Sequence, residues 1–352
     1  MLKWFDEKGD YDDVVIATRV RLSRNLTKYP FSTKMSEEDA KKLVDEVTKA
    51  GMEGNVLPGK VLSCNLGEMN ETNRIALVER NIITPYMVNR KQSIGLLMNE
   101  SESADIMINE EDHIRIQTLS GGLKILDTYK RADAIDDALS NKLDIAFDEK
   151  YGYLTTCPTN VGTGLRVSCL LFLPALSAAE KINALVSEIS KYGVTLKAFY
   201  GDSKESQTGI FQVTNQKTLG CSEQEIIDNL NTIVLQIIKQ ERVRREYVIT
   251  RNFYAIEDQV YRSYGILKYT KQIDCKNAVM LLAQIMLGVK TGIIKLKEEE
   301  NIYKMIMNVQ PHVLQAAYGK NVGTVARERL RADYINKNLP ELITKEETKK
   351  GN

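Results

Sequence analysis

The chain has 352 residues, with 48 Lys plus Arg balanced by 47 Asp plus Glu, 43% hydrophobic and 27% charged. That length holds an ample core for two domains, and the balance is that of a soluble globular protein. A net charge of +1 argues against a general nucleic-acid binder and a membrane-surface protein, and leaves room only for a local basic pocket.

In chain order, "VVIATRVRL" (14–22) reads as a strand whose period-2 alternation puts Arg19 and Arg21 on one face. "SEEDAKKLVDEVTKA" from Ser36 reads as an amphipathic helix with a serine cap. "KVLSCNL", "SIGLLMN", "ADIMIN", "HIRIQTL" and "LRVSCLLFL" read as further strands, and "EKINALVSEISKYG" as a helix ending at Gly193. "LKAFYG" and "GIFQVTN" read as a strand pair joined by the loop "DSKESQT". Ser222 with Glu225 forms a capping box ahead of Ile226, Ile227, Leu230, Ile233, Val234, Ile237 and Ile238 at helical spacing. No proline separates Pro174 from Pro311, which permits a mostly helical C-terminal portion. A domain boundary is expected between 245 and 255, giving units 1–250 and 251–352, with a polar, frayed tail "KEETKKGN".

The acidic N-terminus has no apolar core of a signal peptide, and no run approaches the ~18 apolar residues of a membrane span. Cys64, Cys157, Cys169, Cys221 and Cys275 are scattered without a C-x-x-C pair, the pattern of reduced thiols in a cytoplasm. With only His113 and His312 available, neither a zinc site nor a Ser-His-Asp triad is expected.

What the chain offers instead is arginine at strand positions: Arg19, Arg21, Arg115 and Arg166. Guanidinium forks grip phosphate oxygens bidentately, so converging arginines make a polyphosphate cradle without a P-loop. A single such arginine is more often a surface ion pair. "NEEDH" (109–113) clusters three carboxylates, either a solvated acidic turn or a base that holds and deprotonates a substrate. In "CPTNVGTGLR" (157–166) the glycines let backbone N–H groups approach a ligand. Cys157 reads as a nucleophile, a ligand-orienting thiolate or a small buried hydrophobe.

"TRVRLSRN", "NEEDHIR" and "CPTNVGTGLR" together resemble the ATP:guanido phosphotransferases, the family of creatine and arginine kinases, from about residue 12 to 245. The small helical domain that precedes the catalytic domain of metabolic phosphagen kinases has no counterpart in this sequence. The layout, with "LPAL", "IFQVTNQ" and "DQVYRSYGIL", resembles the bacterial protein arginine kinases of that family. The resemblance implies an α+β fold, an antiparallel sheet flanked by helices, followed by an all-α C-terminal domain.

It also implies roles. Arg19, Arg21, Arg115 and Arg166 would clamp ATP with Mg²⁺. Nucleotide contacts would run along Thr18, Arg19, Val20, Arg21 and Leu22, along Arg166, Val167, Ser168, Cys169 and Leu170, and along Lys197, Ala198, Phe199, Tyr200, Gly201 and Asp202. Glu111 would orient the substrate guanidinium and take its proton, Cys157 would position and polarise it, and Asp202 would be the second substrate carboxylate. No metal site of the protein's own is implied. Arg327, Glu328 and Arg331 of "RERLRA" fall where protein arginine kinases bind phosphoarginine, Glu328 standing for the usual Asp. The partners implied are protein substrates, a zinc-binding activator, a heat-shock repressor and a Clp unfoldase, acting with a homodimer or larger assembly in the cytoplasm.

Three positions depart from the pattern: Lys197 replaces an arginine, Asp202 a glutamate and Thr18 a serine. Lysine loses the bidentate fork, and aspartate is one methylene shorter. Alongside a kinase acting on protein arginine, these departures admit a phosphoarginine-binding adaptor with a weakened kinase site. A kinase for free arginine is the third reading.

Overall fold

A computed structural model describes residues 3–200, 208–319 and 322–343. The loop 202–207, with Gly201 and Asp202, and the tail 345–352 therefore lie outside the described residues.

The described residues form ten strands: β1 (Val15–Arg24), β2 (Val61–Asn65), β3 (Gly95–Asn99), β4 (Ala104–Ile108), β5 (Ile114–Gly121), β6 (Phe147–Asp148), β7 (Gly152–Tyr153), β8 (Leu165–Phe172), β9 (Val194–Ala198) and β10 (Ile210–Asn215). Eight form one sheet in the order β2-β3-β4-β5-β1-β8-β10-β9, every pairing antiparallel. The helices α1 (Glu37–Met52), α2 (Glu71–Glu79), α3 (Pro85–Val88), α4 (Ile125–Ser140), α5 (Pro174–Ala178) and α6 (Ile182–Ser190) intervene. Then come α7 (Glu223–Tyr269), α8 (Cys275–Lys290), α9 (Ile302–Asn308), α10 (Pro311–Tyr318) and α11 (Thr324–Asn338). The expected antiparallel sheet with a helical C-terminal region is what the chain forms. Helices α2 and α4 and the β6–β7 hairpin were not foreseen.

The alternation of β1 divides the sheet. Val20 and Leu22 turn to one face with Ile116, Val167, Cys169 and Val213, all fully buried. That face forms the main core with α1, α4, α6 and α7. Ala17, Arg19 and Arg21 turn to the other face. In register there, Arg21 stands between Gln117 and Arg166, and Arg19 between Leu119 and Ser168. Along β8 this face runs Arg166, Ser168, Leu170, Phe172, from cationic to apolar. Its apolar end is buried, with Ala17, Leu119 and Ile210, beneath the C-terminal helices.

The capping box of α7 is present as expected, Ser222 Oγ accepting from Glu225 N. Helix α7 is two helical stretches that meet at a kink at Asn252, whose angles are non-helical (φ −126°, ψ 29°), close to the boundary expected near 250. The C-terminal helices are latched to the sheet-bearing part at α2. There the Glu79 carboxylate accepts from His312 N (2.8 Å), Val313 N (2.9 Å) and His312 Nδ1 (2.8 Å) at the start of α10.

At the end of β1, Arg24 is buried and joins four elements. It donates from Nε (2.9 Å) and Nη2 (2.6 Å) to Asp136 Oδ2 on α4. Its Nη1 donates to the Ser23 and Thr163 carbonyls. Its guanidinium lies 3.4 Å from the Tyr153 ring centroid. Arg24→Ala would strand the Asp136 carboxylate, so denaturant unfolding should show a loss of about 3–5 kcal/mol. Arg24→Met combined with Asp136→Leu should recover most of that loss.

Candidate active site

The cationic end of the functional face gathers Arg21, Arg166 and Lys197 around a cleft of about 530 Å³, with Thr159, Thr195 and Gln212 in its wall. Arg19 lies one row further in, its Nε donating to Ser168 Oγ (3.3 Å). Burial and the neighbouring Arg115 push Arg19 down to about 10. Burial, then Arg19 and Arg115, hold Arg21 well below the usual arginine range. The Arg21 Nε is buried and has no hydrogen-bond partner among the described residues. Like charges compressed in this way, with a buried donor unused, fit an arriving polyanion. Asp105 on β4 shares the face. Its Oδ2 accepts from Gln117 Nε2 (2.9 Å), and burial raises its pKa well above the usual range, against the pull of Arg19 and Arg21.

Arg166 is held before any ligand arrives. Its Nε donates to Asn160 Oδ1 (3.0 Å), its Nη1 to the Asn215 carbonyl (2.6 Å) and its Nη2 to the Thr159 carbonyl (2.9 Å). Asn160 belongs to the same quoted motif, six residues earlier, and was not singled out.

Arg115 is held by the buried Glu110 (Nη1–Oε1 2.9 Å), with Glu111 Oε2 at 3.6 Å from its Nη2. Glu110 also accepts from Thr84 Oγ1 (2.5 Å) and Glu111 N (2.6 Å). Of the three carboxylates, Glu110 thus anchors and Asp112 is fully buried, while Glu111 is 38% exposed. The Glu111 pKa is raised by burial, then by Glu110 and Asp112, while Arg115 and Cys157 oppose the rise. Cys157, half-buried, has its Sγ 3.1 Å from Thr159 Oγ1 and interacts with both Glu111 and Arg166.

The two glycines of this loop do different work from that expected. Gly162 donates its N–H to the Tyr153 carbonyl (3.3 Å), and a Cβ there would lie 2.2 Å from the Thr218 carbonyl oxygen. At Gly164 (φ +65°) a Cβ would lie 2.6 Å from the Ser23 carbonyl oxygen. Protein backbone presses on both, so they set the loop against the sheet, and the Gly162 N–H is already engaged within the protein.

Two comparisons with known proteins bear on this site. A family profile described as "ATP:guanido phosphotransferase, C-terminal catalytic domain" matches residues 41–244, and one described as "Protein-arginine kinase McsB C-terminal domain" matches residues 254–350. The chain is 38% identical to the protein-arginine kinase of Clostridium kluyveri, over 93% of this chain and 94% of that one. It is 38% identical to that of Desulforamulus reducens, over 97% and 96%. The chain belongs to the protein-arginine kinase family.

Among solved structures, the duplicated taurocyamine kinase of Schistosoma mansoni aligns with TM-score 0.61 at 26% identity, over 69% of this chain and 35% of that one. Lombricine kinase aligns at TM-score 0.57 and 22% identity over 68% and 69%, a likeness of fold. Membership makes this chain an enzyme of the arginine-phosphotransferring, ATP-using type.

Along β1 and β8 the side chains of this kinase alternate between the two faces of the sheet. Thr18, Val20, Leu22, Val167 and Cys169 point into the core. Thr18 Oγ1 donates to the Gly122 carbonyl (2.7 Å), and burial raises the Cys169 thiol to about 12. Leu170, Phe199 and Tyr200 pack with the C-terminal helices, and Ala198 packs against the main core. Tyr303 of α9 reaches the Arg19 neighbourhood beside Trp4 and Phe199, a placement no local pattern signals.

In α11, Arg331 is buried. Its Nε donates to the Val309 carbonyl (2.8 Å) and its Nη1 to that of Ile273 (3.0 Å). Glu328 accepts from Gln272 Nε2 (2.8 Å), and Arg327 makes one 3.3 Å contact to Thr324 Oγ1. Arg327 and Arg331 thus stand differently in α11: Arg331 has two donors already committed to backbone. Arg331→Ala should lower stability by about 1–3 kcal/mol by orphaning those carbonyls, and Arg327→Ala by less than about 0.5 kcal/mol, both read by denaturant unfolding.

Proposed function

We propose that this kinase transfers the γ-phosphoryl group of ATP to arginine side chains of other proteins, by direct in-line attack. The observation that carries the reading is the gathering of Arg19, Arg21, Arg115 and Arg166 on one face of the sheet, with Arg21 and Arg166 lining a cleft, Glu111 beside Arg115 and Cys157 between Glu111 and Arg166. Arg19, Arg21, Arg115 and Arg166, with Lys197, would neutralise the phosphates. Arg21 would use its unpaired Nε. Among the described residues no group of three His, Cys, Asp or Glu gathers to hold a metal, so Mg²⁺ would enter on the nucleotide's phosphate oxygens and spread the developing charge.

A guanidinium nitrogen forms the new N–P bond as the P–O bond to ADP breaks, and the nitrogen's proton passes to Glu111. Cys157 would hold the guanidinium from the other side. Phosphoryl transfer of this kind depends mostly on positioning and charge neutralisation. The raised Glu111 pKa suits a base that must take a proton near neutral pH.

On the family resemblance, the reading extends to Asp202 as a second substrate carboxylate and to Arg327 and Glu328, with the remaining donor of Arg331, as a phosphoarginine site in a helical unit after residue 250. It extends also to a cytoplasmic, homodimeric or larger enzyme that marks proteins for stress-response proteolysis, with a zinc-binding activator, a heat-shock repressor and a Clp unfoldase as partners. No helix among the described residues is long and apolar enough to cross a membrane.

Labelled ATP incubated with an arginine-rich protein should leave acid-labile label on the protein. Label on free arginine alone, or on neither, would overturn the reading. Glu111→Gln should abolish transfer with ATP affinity held within about twofold, because the phosphate clamp is untouched; turnover within about tenfold of wild type would remove Glu111 as base. Because Glu111 must be ionised to accept the proton, turnover should rise with pH through its folded pKa. The acid limb should therefore lie above the ordinary glutamate range.

A further inference from the structure

We propose that Asp112 is a positioning residue for phosphoryl transfer: one of its carboxylate oxygens ties the loop bearing Glu111 to the loop bearing Cys157. The inference rests on the proposed roles of those two residues.

Asp112 is fully buried. Its Oδ1 accepts from Thr156 N (2.7 Å), the peptide immediately before Cys157, and from Asn25 Nδ2 (2.9 Å). Asp112 itself follows Glu111 directly, so a single acceptor atom lies one residue from each reacting side chain. Asn25 completes the tie. Its Nδ2 also donates to the Leu154 carbonyl (2.9 Å), and its Oδ1 accepts from His113 N (2.9 Å). The end of β1, the acidic turn and the thiol loop are thus joined through two side chains.

His113 closes the arrangement. Its Nδ1 accepts from Leu26 N (3.0 Å), so its Nε2, 2.9 Å from the Pro30 carbonyl, carries the proton. Burial lowers its pKa, consistent with a neutral ring serving as a strut. On the far side, Ser32 Oγ donates to the Glu111 carbonyl and fixes the backbone of the base.

The charge of Asp112 acts in the same place. Glu111 is faced by Glu110, Asp112, Arg115 and Cys157, and Asp112 favours its protonated form. Position and charge are separable by substitution. Asp112→Asn keeps an oxygen acceptor for Thr156 N and Asn25 Nδ2 and removes the charge. Asp112→Ala removes both.

The test compares wild type, Asp112→Asn and Asp112→Ala in the full chain. It reads kcat, ATP affinity, the alkylation rate of Cys157 by iodoacetamide, and the unfolding midpoint. Asp112→Ala should lower kcat about 100-fold, the cost of an ångström-scale misplacement, with ATP affinity within about twofold and an altered Cys157 alkylation rate. Asp112→Asn should restore kcat and alkylation to within about threefold of wild type, with the acid limb moved to lower pH because a negative neighbour of Glu111 is gone. Three results would overturn the proposal: Asp112→Ala with near-normal kcat, Asp112→Ala losing ATP affinity in step with kcat, or Asp112→Asn no better than Asp112→Ala. If Asp112→Ala does not fold, Asp112→Asn decides alone: kcat depressed about 100-fold would mean that the charge, and not the tie, is what matters. A wild type that labels no protein would end the kinase reading, while the alkylation comparison would still decide the tie.

Discussion

Mutual repulsion among Arg19, Arg21 and Arg115 is the constraint around which this molecule is arranged. Burial first, and then the charge of the neighbouring guanidinium groups, lowers the proton affinity of Arg19 and Arg21, yet at about 10 Arg19 stays charged at neutral pH. The arrangement persists because the neighbours of Arg21 are tied within the protein: Arg115 to Glu110, Arg19 to Ser168, Arg166 to Asn160 and two loop carbonyls. Arg21, in the middle, is left with an idle buried donor. Such a site is organised before the phosphates arrive, so little reorganisation is required at the moment of transfer.

The same sheet face then serves two purposes. Toward one end of β8 it is cationic and open, and toward the other it is apolar and covered by the C-terminal helices. Those helices are therefore built onto the arginine-bearing face of the sheet itself. Tyr303 sits beside Arg19, and Glu79 clamps the start of α10. A displacement of α9 would reach Arg19 through Tyr303.

Much of the fold was legible because its signals are periodic. The alternation of β1 placed Arg19 and Arg21 together, and the capping box located the start of α7. Helix α4 was missed although its buried side recurs as Ile125, Thr128, Ala132, Ile135 and Leu139, a stripe diluted by polar neighbours. At the site, the arginines, Glu111 and Cys157 were legible as residue types in motifs. Their supports were not. Asn25, Asp112 and Asn215 act through long-range hydrogen bonds to backbone, and nothing local in a sequence marks an asparagine as the partner of a loop more than a hundred residues away. Within the run 18–22, Thr18, Val20 and Leu22 turn their side chains to the core while Arg19 and Arg21 turn to the opposite face, as strand alternation dictates.

The glycines of "CPTNVGTGLR" carry that point into mechanism. A glycine-rich loop beside a phosphate cleft suggests open backbone donors, yet here Gly162 and Gly164 are pressed by the Thr218 and Ser23 carbonyl oxygens. Any side chain would lift the loop off the sheet. Their smallness therefore lets the loop lie flat, where Arg166 can reach Asn160 and the Thr159 carbonyl, and where Thr156 can reach Asp112. Cys157 stands at the turn of a loop held at its base by glycines, at its start by Asp112 and at its end by an arginine. With so little freedom left, the thiol has its position whether or not a guanidinium is present. In a reaction whose barrier is lowered mainly by alignment, that fixed position is the loop's contribution.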